Sequence, residues 1–109
     1  MSKSILLSQS MKKATTEETY LDLGDDILNT LWPVVQKSSS TYPNIWRMIE
    51  DMYGDFQIKP SDLQALSDEI QKIKTFFADQ AKIVIWLDVL RTLSTAGKQR
   101  NLAMYGIAD

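Results

Sequence analysis

The feature that most constrains this chain is an alternation of apolar residues by three and four positions: Leu63, Leu66, Ile70, Ile73 and Phe77. That spacing lays one apolar stripe along an α-helix. Related stripes recur. Tyr20, Leu23, Ile27, Leu31 and Val34 form one, widened by Leu21, Leu28, Trp32 and Val35. Ile45, Ile49 and Met52 form another, with Trp46 and Tyr53 beside it. Ile83, Trp86, Leu87, Leu90 and Leu93 form a fourth, and Val84, Ile85 and Val89 make that segment apolar nearly all round.

The punctuation fits helices. Thr15 with Glu18, and Ser61 with Gln64, have the spacing of capping boxes. Pro43 and Pro60 suit first turns, and Gly54 and Gly97 suit helix ends. Pro33 predicts a kink or an early stop, and Gly24 offers a second break. A short last helix is read through Leu102 and Tyr105. The expected fold is therefore all-α: one helical domain over residues 1–109, a bundle of four to five helices, with the segment 79–96 central and most buried. Ser4 to Ser8 reads as a short strand or an extended arm within a loosely packed 1–14. A lone strand has no evident partner, which favours the all-α reading.

Composition narrows the chemistry. The chain has 109 residues, fitting one domain, and 44% are hydrophobic, the balance of a folded protein. Cysteine is absent, which excludes disulfides, a thiol nucleophile and a thiolate metal site. Histidine is absent too, which removes the commonest neutral-pH base and zinc ligand. No Gly-x-Ser-x-Gly or glycine-rich phosphate loop occurs. Ile5, Leu6 and Leu7 after Lys3 are too few for a signal-peptide core, so the expected location is cytoplasmic.

Adjacent acids occur at Glu17-Glu18, Asp25-Asp26, Glu50-Asp51 and Asp68-Glu69. Helical nucleotide pyrophosphohydrolases gather such groups around magnesium. Their repeat of acids at helical spacing is incomplete here, since Asp68 and Glu69 point about 100° apart. The ordinary reading of such pairs is a solvent face. No metal, cofactor or catalytic residue is assigned, and the expected protein is not an enzyme. A DNA-reading helix should be basic, whereas the one after Pro60 carries Asp62, Asp68 and Glu69. Neither nucleic acid nor membrane is an expected partner.

The net charge of −2 hides a pattern. Residues 1–16 carry three lysines and no acid. Residues 17–70 carry eleven acids against Lys37, Arg47 and Lys59, and residues 71–109 carry six bases against three acids. An acidic middle is either a solvated face or an attractor of basic protein surfaces. Tyr53 and Phe56 lie beside Glu50, Asp51 and Asp55. They read either as apolar anchors in an acid-rimmed binding surface, or as a cap over the core beneath Gly54.

Three stretches carry a resemblance: Leu7 to Lys13, Glu18 to Pro33, and Tyr42 to Ile73. The motifs are Met52-Tyr53, Gly54-Asp55, Pro60-Ser61 and Leu63-x-x-Leu66-x-x-Glu69-Ile70. The chain resembles small all-helical immunity proteins, the antidotes encoded beside bacterial polymorphic toxins, including those of contact-dependent growth inhibition. The resemblance implies no active site and one cognate toxin domain as partner, often a nuclease with a basic groove. Asp25, Asp26, Glu50, Asp51 and Asp55 would then form the acidic contact surface, with Tyr53 and Phe56 as anchors. The alternatives are a small helical regulator or adaptor, and a magnesium-dependent helical nucleotide hydrolase.

Overall fold

A computed structural model describes residues 2–14, 20–51 and 53–108 of the chain. Its elements in order are strand β1 (Ser2–Ser8), helix α1 (Met11–Ala14), strand β2 (Leu21–Gly24), helix α2 (Asp25–Lys37) and helix α3 (Pro43–Ile49). Strand β3 (Phe56–Ile58), helix α4 (Leu63–Ile73), helix α5 (Ala81–Arg100) and strand β4 (Ala103–Ala108) follow, with single 3₁₀ turns flanking α4. The expectation of an all-α bundle is overturned. The strands form one antiparallel sheet in the order β2-β1-β4-β3.

The amino-terminal segment is an inner strand of that sheet. Ile5, Leu6 and Leu7 are all buried, because both faces of β1 are covered. A continuous apolar run, rather than alternation, is what a strand covered on both faces requires. Register separates the faces. Ile5, Leu7, Leu23, Phe56, Ile58 and Met104 join the main core with the stripes of α2 to α5. Leu6, Ala103 and Tyr105 face the other way, onto Ala14 of α1.

The partners of β1 explain why it reads as solitary. β2 has four residues and β3 three, too short to show alternation. β4 begins 101 residues after β1 does, at the far end of the chain. Pairing at that separation leaves no local periodic signal. The stripe from Tyr20 onward thus includes Leu21 to Gly24, which are strand, and the helix expected through Leu102 and Tyr105 gives way to β4, which starts at Ala103. The capping residues Thr15 and Glu18, and Met52, lie outside the described residues.

Several local expectations also change. α2 continues past Pro33 to Lys37. α3 begins at Pro43 as expected but stops at Ile49, before Gly54. Ser61 makes no capping bond to the helix; Gln64 instead donates to Asp68 and accepts from Lys98. α5 runs through Gly97 and ends at Asn101, whose φ of 55° is the left-handed terminator. Gly97 is a close-packing position. A Cβ there would lie 2.6 Å from Leu63 Cδ1 and 3.0 Å from both Leu7 Cδ2 and the Leu102 carbonyl. Nor is α5 buried all round, since Ile85 and Val89 face solvent.

Candidate partner-binding surface

Antiparallel register decides where the acids go. Gly24 pairs with Ser2, Lys3 with Ala108, and Phe56 with Gly106. The end of β2, the start of β1, the end of β4 and the start of β3 thus lie along one margin of the sheet. Asp25 and Asp26 follow β2 at one corner, and Glu50, Asp51 and Asp55 precede β3 at the other. All five are exposed. The corners stand about 14 Å apart, three strand spacings. The sheet unites acids separated by some thirty positions in sequence.

At the β3 corner the acids surround a buried lysine. Lys3 lies on the helix-covered face with Ile5 and Leu7, and is 2% exposed. Its Nζ donates to the Met48 carbonyl at 2.9 Å and to the Asp51 carbonyl, and lies 5.7 Å from the Phe56 ring centroid. It therefore satisfies carbonyls at the end of α3, where a cation complements the helix dipole. Burial lowers the Lys3 pKa, and the charges of Asp51, Asp55 and Glu50 oppose that shift. The same acids bind the backbone: Asp51 Oδ1 accepts from the Tyr53 amide at 3.1 Å, and Asp55 Oδ1 from the Ala108 amide at 2.7 Å.

Of the two expected anchors, Tyr53 is 74% exposed and Phe56 is 5% exposed. Phe56 is core: its ring covers Gly106, its register partner, and removes it from any contact surface.

At the β2 corner Asp25 and Asp26 open α2, where carboxylates suit the positive helix start. Asp26 Oδ1 accepts from the Ile27 amide at 2.9 Å and Oδ2 pairs with Lys82 of α5. The Lys82 ammonium, and after it the Ile27 amide, hold the Asp26 carboxyl below the usual carboxylate range.

The opposite sheet margin is basic. Lys59 follows β3, and Lys98 and Arg100 close α5 just before β4. Lys13 and Arg100 line one cleft there with Ser8 and Leu102. The fold thus sets five acids of the middle segment against Lys59, Lys98 and Arg100 along the strands, with Lys82 paired to Asp26 at the acidic margin and Asp62 beside Lys59 at the other.

Sequence reasoning missed two buried charges. In the sequence Lys3 reads as part of a basic terminus, and Glu69 as solvent-facing beside Asp68. Glu69 is 5% exposed. Its Oε1 accepts from the Asn44 and Ile45 amides at 2.9 and 3.1 Å, and Oε2 from Asn44 Nδ2 at 2.7 Å. These amides belong to the first turn of α3. One short helix is held at its start by a buried anion and at its end by a buried cation. The signals were present: Glu69 falls three residues after Leu66 on the α4 stripe, and Lys3 two before Ile5 on one strand face.

Among the described residues no group of three or more acids is placed to hold a metal ion, and no helix is long and apolar enough to cross a membrane. No family model, curated protein or solved structure matches the chain.

Proposed function

We propose that this chain is a binding protein, an immunity protein that occludes a cognate bacterial toxin domain, most naturally a nuclease with a basic substrate groove. The proposed setting is the cytoplasm of the producing cell, and no catalysis is assigned to the chain. The observation carrying this reading is the gathering of Asp25, Asp26, Glu50, Asp51 and Asp55 on one sheet margin, opposite Lys59, Lys98 and Arg100. Such a gradient orients an approaching basic surface and accelerates encounter. Acids gathered on one margin also offer a basic groove the negative charge that a nucleic-acid backbone would. Exposed Tyr53 supplies an amphipathic contact at the β3 corner. The sheet departs from the all-helical pattern of the proteins the sequence resembles, so the reading rests on charge placement rather than fold.

The test uses the purified toxin domain encoded beside this chain. Association rate is measured at low and high salt for the wild type and for Asp25→Asn/Asp26→Asn/Glu50→Gln. The expected result is a rate that falls with salt in the wild type, and about a tenfold slower low-salt rate in the variant. Absence of binding, or binding indifferent to both salt and substitution, would reject the proposal.

A further inference from the structure

Beside the Asp25-Asp26 corner lies a surface whose chemistry the acids do not explain. Ile85 and Val89, one turn apart on α5, are 63% and 38% exposed. With Leu21, Ile27 and Trp86 they line a groove of about 320 Å³ between α5, β2 and the start of α2. That volume is at the bottom of the range of small-molecule clefts and suits one or two side chains. The floor is fixed in place. Trp86 Nε1 donates to the Asp22 carbonyl at 2.7 Å, stitching α5 to the edge strand. The bond also occupies a carbonyl of β2, which disfavours addition of a foreign strand there.

The rim is charged with one sign in excess. Asp26, paired to Lys82, lines the mouth and Asp25 adjoins it, while Asp22 lines the groove through its backbone, its side chain lying with that of its partner Ser4 on the other sheet face. We infer that this groove receives an apolar side chain flanked by lysine or arginine from a partner protein. The apolar group enters against Ile27, Ile85, Trp86 and Val89, while the flanking cations meet Asp25 and Asp26. Central apolar burial ringed by polar contacts is how a small interface concentrates its affinity. A second copy of this chain fits less well, because two-fold pairing sets the acidic rims of both copies against each other. As an account of the toxin contact, this inference rests on the immunity reading; the groove's own chemistry is tested apart from it.

The probe is an amphipathic leucine–lysine peptide, with a leucine–glutamine peptide of the same pattern as control, titrated into the full isotope-labelled chain by NMR. The expected result is saturable shifts at Ile27, Ile85, Val89 and the Trp86 indole with the lysine peptide alone. Ile85→Glu, at an exposed helical position, should weaken this by about tenfold or more, and Val89→Gln should act in the same direction. Equal response to both peptides, or indifference to Ile85→Glu, overturns the inference. So do concentration-dependent shifts of the same residues without peptide, matched by a dimer mass in sedimentation, since a second copy then fills the groove. The neighbouring toxin domain separates the two readings. If Ile85→Glu leaves toxin binding intact while Asp25→Asn/Asp26→Asn/Glu50→Gln weakens it, the groove is wrong and the immunity reading stands. If the lysine peptide binds as expected but the toxin does not, the groove stands and the immunity reading fails.

Discussion

The two corners of the acidic sheet margin use similar residues to different ends. At the β3 corner, carboxylates and carbonyls converge on Lys3, which is buried among Phe56 and the end of α3. The Lys3 ammonium lies inside, and its bonds, with those of exposed Asp51 and Asp55, secure backbone groups at this corner. At the β2 corner, Asp26 pairs with Lys82 where both side chains are more than half exposed, and apolar Ile85 and Val89 stand in solvent. An exposed pair of that kind contributes little to folding. An exposed apolar pair contributes less than a buried one and is the commoner mark of a contact site. An acid in this fold is therefore classed by what lies beneath it: a buried cation at one corner, an apolar groove at the other.

That contrast makes graded predictions. The largest effect belongs to Glu69, which holds the other end of α3. Glu69→Leu strands the Asn44 and Ile45 amides and should cost about 3–5 kcal/mol, read from urea unfolding. Gly106→Ala places a methyl group into the Phe56 ring that roofs the β3 corner. It should cost about 1–3 kcal/mol by the same measurement. Lys3→Met keeps the buried stem but loses two carbonyl contacts, and should cost about 1–2 kcal/mol.

Lys3 also has a pH signature. Burial lowers its folded pKa below 10.5, so the unfolded chain holds that proton more tightly. Its contribution to stability accordingly rises as pH climbs through the folded pKa toward 10.5. Comparison of wild type with Lys3→Met across alkaline pH should show that rise only in the wild type; equal slopes would mean the amine is as well solvated folded as unfolded.

The smallest effect is at the β2 corner. Asp26 has a lowered folded pKa, so its contribution is present above 3.8 and lost as pH falls through the folded value. Asp26→Asn should leave the neutral-pH melting temperature nearly unchanged and slightly flatten the acid limb below pH 3.8. A large loss of stability at neutral pH would place this corner in the same class as the other.

The sequence disclosed those parts of the molecule whose order is local. The α4 stripe of Leu63, Leu66, Ile70, Ile73 and Phe77 is buried throughout. Pro43 opens α3 as its ring favours. The sheet was hidden because it joins short segments across the length of the chain, and β1 alone looks like an arm. The acidic surface was legible as composition, since Asp25, Asp26, Glu50, Asp51 and Asp55 could be named, but their common margin is a product of strand register. Phe56 shows the limit of neighbour-based reasoning: next to Asp55 in sequence, it points to the opposite side of the problem, into the core over Gly106. Lys3 and Glu69 show its converse, charges that period alone would have placed inside.

The most direct test of the contrast follows stability and affinity for the proposed toxin partner together in two variants, one per corner. Asp55→Asn, which weakens the bond to the Ala108 amide, should lower the urea midpoint and weaken affinity for the proposed toxin partner less than the β2-corner pair does, by about two- to threefold. Asp25→Asn/Asp26→Asn should leave the urea midpoint unchanged and weaken affinity by about tenfold or more. The reverse pattern, with the larger loss of binding at the β3 corner and the larger loss of stability at the β2 corner, would contradict this division of roles.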